Sequence, residues 1–122
     1  MGWVQVINRS QGERIILRAY WCQSFLCRLR GLTFRRSLPA GEGLLLVDSK
    51  ETISNAGIHM WMVFMSLGVI WINENYQVVD TVIAEPWRFY FPSRPARYVL
   101  EGSPSILSLF SLGDQLEFVD AA

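Results

Sequence analysis

The sequence predicts a mostly β domain, an antiparallel β-sandwich or barrel-like fold with two short helices. Short apolar runs rich in β-branched and aromatic residues recur along the chain, and turn-forming residues separate them. Strand–turn–strand order dominates over strand–helix–strand order. The 122 residues, of which 51% are hydrophobic and 18% charged, suffice for a single domain over residues 1–122 with its own core.

The first third of the chain predicts a hairpin followed by a helix. Two β-prone runs, Trp3–Ile7 and Arg14–Tyr20, flank the turn-rich segment Asn8–Gly12. The period of the apolar residues then changes in Cys22–Leu32, where they recur at helical spacing. We therefore expect one amphipathic helix there, ending near Gly31.

The middle of the chain carries an unusually long uncharged segment. After a buried strand over Leu44–Val47, the segment Ala56–Ile72 contains no formally charged residue. It is short for a membrane helix and lacks basic anchors, so one long or two consecutive central strands, buried on both faces, are expected. The turn Asn73–Asn75 makes residues 69–83 a predicted hairpin.

The last third predicts a loop, two strands and a second helix. Pro86–Pro95 is an aromatic loop, and Arg97–Leu100 is a short strand. Ser103–Gly113 has a capping serine, a proline in its first turn and a glycine at its exit, which predicts a helix. Clean alternation over Gln115–Asp120 predicts the final strand.

The formal net charge of zero points to no particular partner, but its distribution is uneven. Residues 1–36 carry seven arginines against one glutamate, with a cluster at Arg28, Arg30, Arg35 and Arg36. Such a cluster can bind nucleic acid weakly. The simpler explanation of the cluster is that these arginines are solvated or paired within the fold, which makes nucleic acid an unlikely partner. A small molecule or a protein is the favoured partner.

Cysteine content and the N-terminus bear on the compartment. Cys22 and Cys27 lack CxxC spacing and a second ligand pair, so we expect reduced thiols and no metal site. No signal peptide is visible at the N-terminus, which predicts a cytoplasmic protein without a membrane segment. Neither GxGxxG nor GxxxxGK occurs, so no cofactor is expected.

Three residues are candidates for catalysis: His59, Glu101 and Asp114. His59 is the only histidine, and only imidazole titrates near neutrality without perturbation. A hydrolase-like site would orient His59 with one of the two carboxylates, although no GxSxG elbow supports it. The structural alternative is a buried, neutral imidazole with hydrogen-bonded nitrogens.

Four further residues are candidates for binding. Trp87, Arg88 and Phe91 belong to the aromatic loop, which can stack on a ligand or can cover the end of the core. Arg35 lies at the end of an element and can bind an anion with Glu101 as its acidic counterpart. The structural alternative is a fixed ion pair or a loop staple.

Six short motifs in order resemble those of one family over about residues 15–120. The chain is similar to domain of unknown function family 192, a group of small prokaryotic proteins. The resemblance implies a mostly β, sandwich-like domain and no established activity. The motifs are Gly31–Arg35, Gly43–Leu45, Ile58–Trp61, Pro86–Arg88, Val99–Glu101 and Gly113–Asp114.

The chain departs from the family pattern in the central segment. Relatives usually carry M-R/K-x-P-I-D before the apolar strand, whereas this chain has Val63, Phe64, Ser66, Leu67 and Gly68 in that region. The basic residue, the proline and the aspartate are missing. A polar site built on that aspartate would therefore be lost or altered here.

The favoured function is a non-enzymatic accessory module, monomeric or homodimeric, that binds a small molecule or a protein through its end loops. Loops on a rigid β scaffold commonly carry binding residues. The alternatives are the His59 hydrolase-like enzyme and weak nucleic-acid binding through Arg28–Arg36.

Overall fold

The computed structural model describes residues 2–12, 14–24, 27–28, 31, 38–39 and 41–121, and nine strands lie in this part. Two short 3-10 helices occupy Arg9–Gln11 and Pro104–Leu109. The predicted mostly β fold is confirmed. The strands are β1 (Trp3–Asn8), β2 (Arg14–Cys22), β3 (Glu42–Thr52), β4 (Ile58–His59), β5 (Leu67–Ile72), β6 (Val78–Ala84), β7 (Phe89–Tyr90), β8 (Ala96–Gly102) and β9 (Leu116–Asp120).

Seven strands form one sheet in the order β6-β5-β8-β3-β2-β1-β9, and β4 pairs with β7 in a separate small sheet. The described pairs are antiparallel except β2 with β3, which run parallel. The wholly antiparallel arrangement that we predicted is wrong at this pair. Parallel neighbours cannot be joined by a tight turn, and 19 residues separate the end of β2 from the start of β3.

The sheet approaches closure at one end without forming a closed barrel. An isolated bridge joins Gln77, which precedes the edge strand β6, to Gln115, which precedes the opposite edge strand β9. Beside it, the amide of Val78 donates to the carbonyl of Asp114 at 3.0 Å. The barrel-like character is thus confined to this end of the described sheet.

The long uncharged segment contains two strands, as predicted, but they belong to different sheets. All six residues of β5 are buried, whereas β4 spans two residues at the edge of the small sheet. The 69–83 hairpin is confirmed as β5 and β6. The second predicted helix is shorter than Ser103–Gly113 and takes the 3-10 form.

Little of the first predicted helix falls within the described residues. Cys27 and Arg28 are helical, and the amide of Gly31 donates to the carbonyl of Cys27 at 2.9 Å. Gln23 and Ser24 are described and are not helical, whereas residues 25–26, 29–30 and 32 of the predicted helix and the candidate Arg35 lie outside the described residues. β2 continues to Cys22, so this residue is extended rather than helical.

Cys22 and Cys27 form a disulfide, so the prediction of reduced thiols is wrong. Their Cα atoms are 5.6 Å apart, a separation that a disulfide spans readily. The prediction rested on the lack of CxxC spacing and of a second ligand pair, and neither of these excludes a disulfide. Cys22 ends β2 whereas Cys27 is helical, so the two cysteines do not lie on one helix.

Apolar clusters cover both faces of the large sheet. On one face, Leu45, Ile70 and Leu100 pack with Ile106 of the second 3-10 helix. On the other face, Trp71 packs with residues of the β4 and β7 region such as Met60. The sheet is therefore rigidly supported from both sides. No described helix has the length and apolar character needed to cross a membrane.

Gly68 permits the second 3-10 helix to lie directly on β5. A Cβ atom at Gly68 would be 2.7 Å from the carbonyl oxygen of Ser103 and 3.0 Å from Cγ1 of Ile106. We expect Gly68→Ala to lower the free energy of unfolding by about 2 kcal/mol, because the helix backbone must shift. Urea denaturation measures the loss.

Gly2→Ala is the matched control, since a Cβ atom at Gly2 meets nothing within 4 Å. Its denaturation midpoint should equal that of the wild type. Equal midpoints for Gly68→Ala as well would show that the close approach does not constrain the packing of the helix.

Candidate functional site

The most distinctive surface is a group of exposed apolar side chains from two loops. Trp61, Met62 and Phe64 come from the segment after β4, and Trp87 and Phe89 come from the segment around β7. We call these five residues the aromatic surface. The exposed fraction is 49% for Trp61, 48% for Trp87 and 59% for Phe89. Exposed apolar groups of this extent commonly mark interaction sites.

Backbone pairing brings the two loops together. The β4–β7 pair sets His59 opposite Phe89. Beyond β4, Met60 receives a hydrogen bond from the amide of Trp87 at 2.7 Å and donates to the carbonyl of Arg88, also at 2.7 Å. The aromatic surface therefore stands on a fixed backbone frame.

The aromatic rings contact one another edge to face. The Trp61 ring centroid is 5.7 Å from that of Trp87 and 5.9 Å from that of Phe89, and Phe64 lies 6.2 Å from Trp87. Such pairs stabilise one another beyond the area that they bury. The rings thus hold a defined arrangement while they remain open to solvent.

Two residues of the aromatic surface have unusual backbone angles. Met62 has φ of 59° and Trp87 has φ of 68°, both in the left-handed region. Bulky side chains rarely adopt this region, and strain of this kind clusters at functional sites. The backbone geometry directs both side chains outward, whereas Met60 and Val63 beside them are buried.

Buried and exposed side chains alternate in these two loops. This separates the two roles considered for the aromatic loop, which are contact with a ligand and coverage of the core. Ile58, Met60 and Val63 close the core at this end, together with the partly buried Tyr90. Trp87 and Phe91 remain exposed. Phe91 instead lies against the backbone of Gly57, where an added Cβ atom would be 2.3 Å from its ring. The core is therefore closed without the exposed candidates.

Sequence reasoning missed Trp61 and Phe64. Both lie in the uncharged segment that was expected to form buried strands. Hydrophobicity alone does not separate a buried strand from an exposed aromatic loop. Gly57 and Gly68 at the two ends of this loop region were the available signal, since glycines interrupt a continuous strand.

His59 is exposed, so the buried imidazole that we considered is not what the structure shows. It lies on β4 opposite Phe89. In the described part of the chain, no hydrogen bond or ion pair joins His59 to Glu101 or Asp114. The three catalytic candidates thus lie on separate elements without contact.

Glu101 is buried in the middle of the large sheet. It is 5% exposed and pairs with Leu44 on β3 and Val69 on β5. Burial raises the pKa of Glu101 to about 7. A carboxyl with this pKa is chemically capable of proton transfer near neutrality, but within the described residues no nucleophile or imidazole contacts it.

Asp114 accepts hydrogen bonds that fix the backbone. Its Oδ2 atom accepts from Asn8 Nδ2 at 2.8 Å, Gln11 Nε2 at 2.9 Å and the amide of Ser111 at 2.9 Å. The network ties β1 to the turn before β9. These bonds leave that oxygen little capacity for a substrate.

The arginine candidates have different surroundings. Arg88 is exposed and follows Trp87 directly, beside the aromatic surface. Arg28 forms an ion pair with Asp48 at 3.2 Å. Within the described residues, no three or more histidine, cysteine or acidic side chains form a group that could hold a metal ion.

The comparisons with known proteins agree with the predicted family. The sequence profile of DUF192, described as "Uncharacterized ACR", matches residues 6–118. A UPF0127 protein from Pyrococcus furiosus is 36% identical over 115 residues, covering 93% of this chain and 97% of its own length. A UPF0127 protein from Pyrococcus horikoshii is 39% identical over 97 residues, covering 80% and 82%.

Two solved structures share the fold. A protein of Sinorhizobium meliloti 1021, described as a candidate transcription regulator, has a TM-score of 0.80 with 23% identity and covers 96% of this chain and 92% of its own. A protein of unknown function from Novosphingobium aromaticivorans has a TM-score of 0.79 with 22% identity, covering 94% and 83%. At these identities the likeness concerns the fold alone. The matched profile and the archaeal relatives show that this chain belongs to the DUF192 family, whose members matched here are uncharacterised.

Proposed function

We propose that this protein is a non-enzymatic binding module that contacts a partner protein through the aromatic surface. The observation that carries the proposal is the exposure of Trp61, Trp87 and Phe89 on a rigid frame. These rings are open to solvent although the core beneath them is already closed.

The composition of the aromatic surface favours a protein partner. Protein interfaces are enriched in tryptophan, phenylalanine, methionine and arginine, and buried aromatic anchors contribute much of the binding energy. Met62 lies within the aromatic surface, and the exposed Arg88 borders it. A partner would remove the rings from water without a large loss of entropy, because ring contacts and the paired backbone already order them.

The separation of the catalytic candidates supports a module rather than an enzyme. A hydrolase needs its base, its nucleophile and an orienting group within hydrogen-bond reach. His59 makes no such contact with Glu101 or Asp114 in the described part of the structure.

Site-specific crosslinking followed by a reconstituted binding assay tests the proposal. Phe89 is replaced by the photocrosslinker p-benzoylphenylalanine, and the protein that becomes crosslinked in cells of the source organism is identified. The affinity of that partner protein for the purified chain is then measured. We expect Trp61→Ala and Trp87→Ala each to weaken that affinity at least tenfold, as for interface hot spots. Circular dichroism should show an unchanged fold, because both side chains are half exposed.

Leu112→Ala is the matched control, since Leu112 is 67% exposed and lies outside the aromatic surface. Its affinity should equal that of the wild type. Capture of a crosslinked protein that then binds the tryptophan variants as tightly as the wild type would contradict the proposal. Unfolding of both tryptophan variants would instead assign these side chains to the core.

A further inference from the structure

A second feature, separate from the aromatic surface, is a cavity of about 340 Å³ between β3, β8 and the segment that precedes β4. Its size lies within the range of small-molecule sites. Six of its lining residues matter for the argument: Arg28, Leu46, Asp48, Asn55, Arg97 and Val99.

The charged lining of the cavity is positive on balance. Two guanidinium groups, from Arg28 and Arg97, face one carboxylate, from Asp48. The Asp48 carboxylate pairs with Arg28, its Oδ1 atom lying 3.2 Å from Nη1, and the same atom accepts a hydrogen bond from the amide of Ser49. One positive charge is therefore left without a neutralising partner among the described lining residues.

The two arginines retain donors that the described residues do not use. Arg28 Nε is buried and has no hydrogen-bond partner. Buried polar atoms are nearly always bonded, so this guanidinium is incompletely paired by the described residues, although Nε itself is closed to a ligand in the cavity. Arg97 donates through Nε to the carbonyl of Asp48 at 2.9 Å, and this bond fixes its guanidinium plane. The Nη groups of Arg97 remain available to an oxyanion, for which a planar fork is well suited.

The remaining wall of the cavity is apolar and well anchored. Leu46 and Val99 face each other across the β3–β8 pair. The Ala56 carbonyl accepts from Trp71 Nε1 at 2.7 Å, which holds the opposite wall in place. A ligand in the cavity would therefore meet positive charge and a carbon surface together.

We propose that this cavity binds a small organic anion. Arg28 and Arg97 hold its carboxylate or phosphate group, and its carbon body lies against Leu46 and Val99. Because the site shares no residue with the aromatic surface, it does not depend on the partner-binding function.

Isothermal titration with phenyl phosphate, benzoate and inorganic phosphate tests this site at constant ionic strength. We expect saturable binding of phenyl phosphate or benzoate, and the stronger of the two identifies the anionic group. Inorganic phosphate should bind at least threefold more weakly than phenyl phosphate because it lacks a carbon body. No saturable binding of either organic anion would overturn the proposal.

Arg97→Gln and Arg28→Gln should each weaken binding of the organic anion at least tenfold, since charge-assisted hydrogen bonds are lost.

Asn55→Asp adds a negative charge at an exposed position of the lining and should weaken binding several-fold without removing a core contact. This variant keeps the test valid if an arginine variant fails to fold. Arg94→Gln, an exposed arginine outside the cavity, should bind like the wild type. Equal affinity for Asn55→Asp and the wild type would place the anion elsewhere.

Discussion

Asp114→Ala is expected to lower the free energy of unfolding by about 3 kcal/mol, among the largest effects of any polar substitution in this protein. The change removes an oxygen that accepts three hydrogen bonds. One donor, the Nδ2 group of the fully buried Asn8, keeps only its bond to the Leu109 carbonyl. Urea denaturation followed by tryptophan fluorescence measures the loss.

Two variants locate the origin of this effect. Asp114→Asn keeps an acceptor oxygen but not the charge, so we expect about half of the loss. Asp120→Ala removes an exposed carboxylate and should change stability by less than about 0.5 kcal/mol. Wild-type stability for Asp114→Ala would show that the hydrogen bonds do not stabilise the fold, and would return Asp114 to the catalytic candidates.

The sequence predicted the hairpins because their signals are local. Alternation and turn residues identify β1 with β2 and β5 with β6, and both pairs occur as expected. β2 and β3 pair across a long connection rather than a tight turn. Their parallel direction therefore depends on tertiary packing and not on a local turn signal. Strand order along the chain carries no signal for that direction.

Exposure was harder to predict than secondary structure. Trp61, Phe64 and His59 lie in a segment without charge, and hydrophobic content suggested burial for all three. They are exposed because Met60 and Val63 fill the core and the left-handed Met62 turns the chain. The disulfide between Cys22 and Cys27 was equally hard to predict, because spacing alone does not show where a strand ends.

Glu101 is unusual in the structure for a reason that differs from the role the sequence suggested. The sequence suggested a carboxylate at the end of an element with an arginine partner. The structure places Glu101 inside the sheet, beside Leu44 and Val69. Burial therefore penalises the ionised form of the Glu101 carboxyl, and the pH dependence of stability measures this penalty.

At pH 8, Glu101→Gln is expected to have a free energy of unfolding about 3 kcal/mol above that of the wild type, whereas at pH 4 the two should be equal. Burial raises the pKa of Glu101 from 4.5 to about 7. Between these values the folded protein holds a proton that the unfolded chain has released. The wild type therefore loses stability as the pH rises from 4.5 to 7 and stays at the lower level above that range. A glutamine resembles the protonated acid and does not titrate, so its variant lacks this loss.

Glu74→Gln provides the matched control, because Glu74 is exposed. Its stability should follow that of the wild type at every pH, which removes the contribution of the other ionisable groups from the comparison. If the difference between Glu101→Gln and the wild type did not change between pH 4 and pH 8, the Glu101 carboxyl would titrate alike in the folded and unfolded chains. A difference that grew in the opposite direction would require a cation paired with Glu101 in the folded protein. A benefit of the glutamine that increases with pH is the result expected from desolvation, because burial penalises the charged form of the carboxyl.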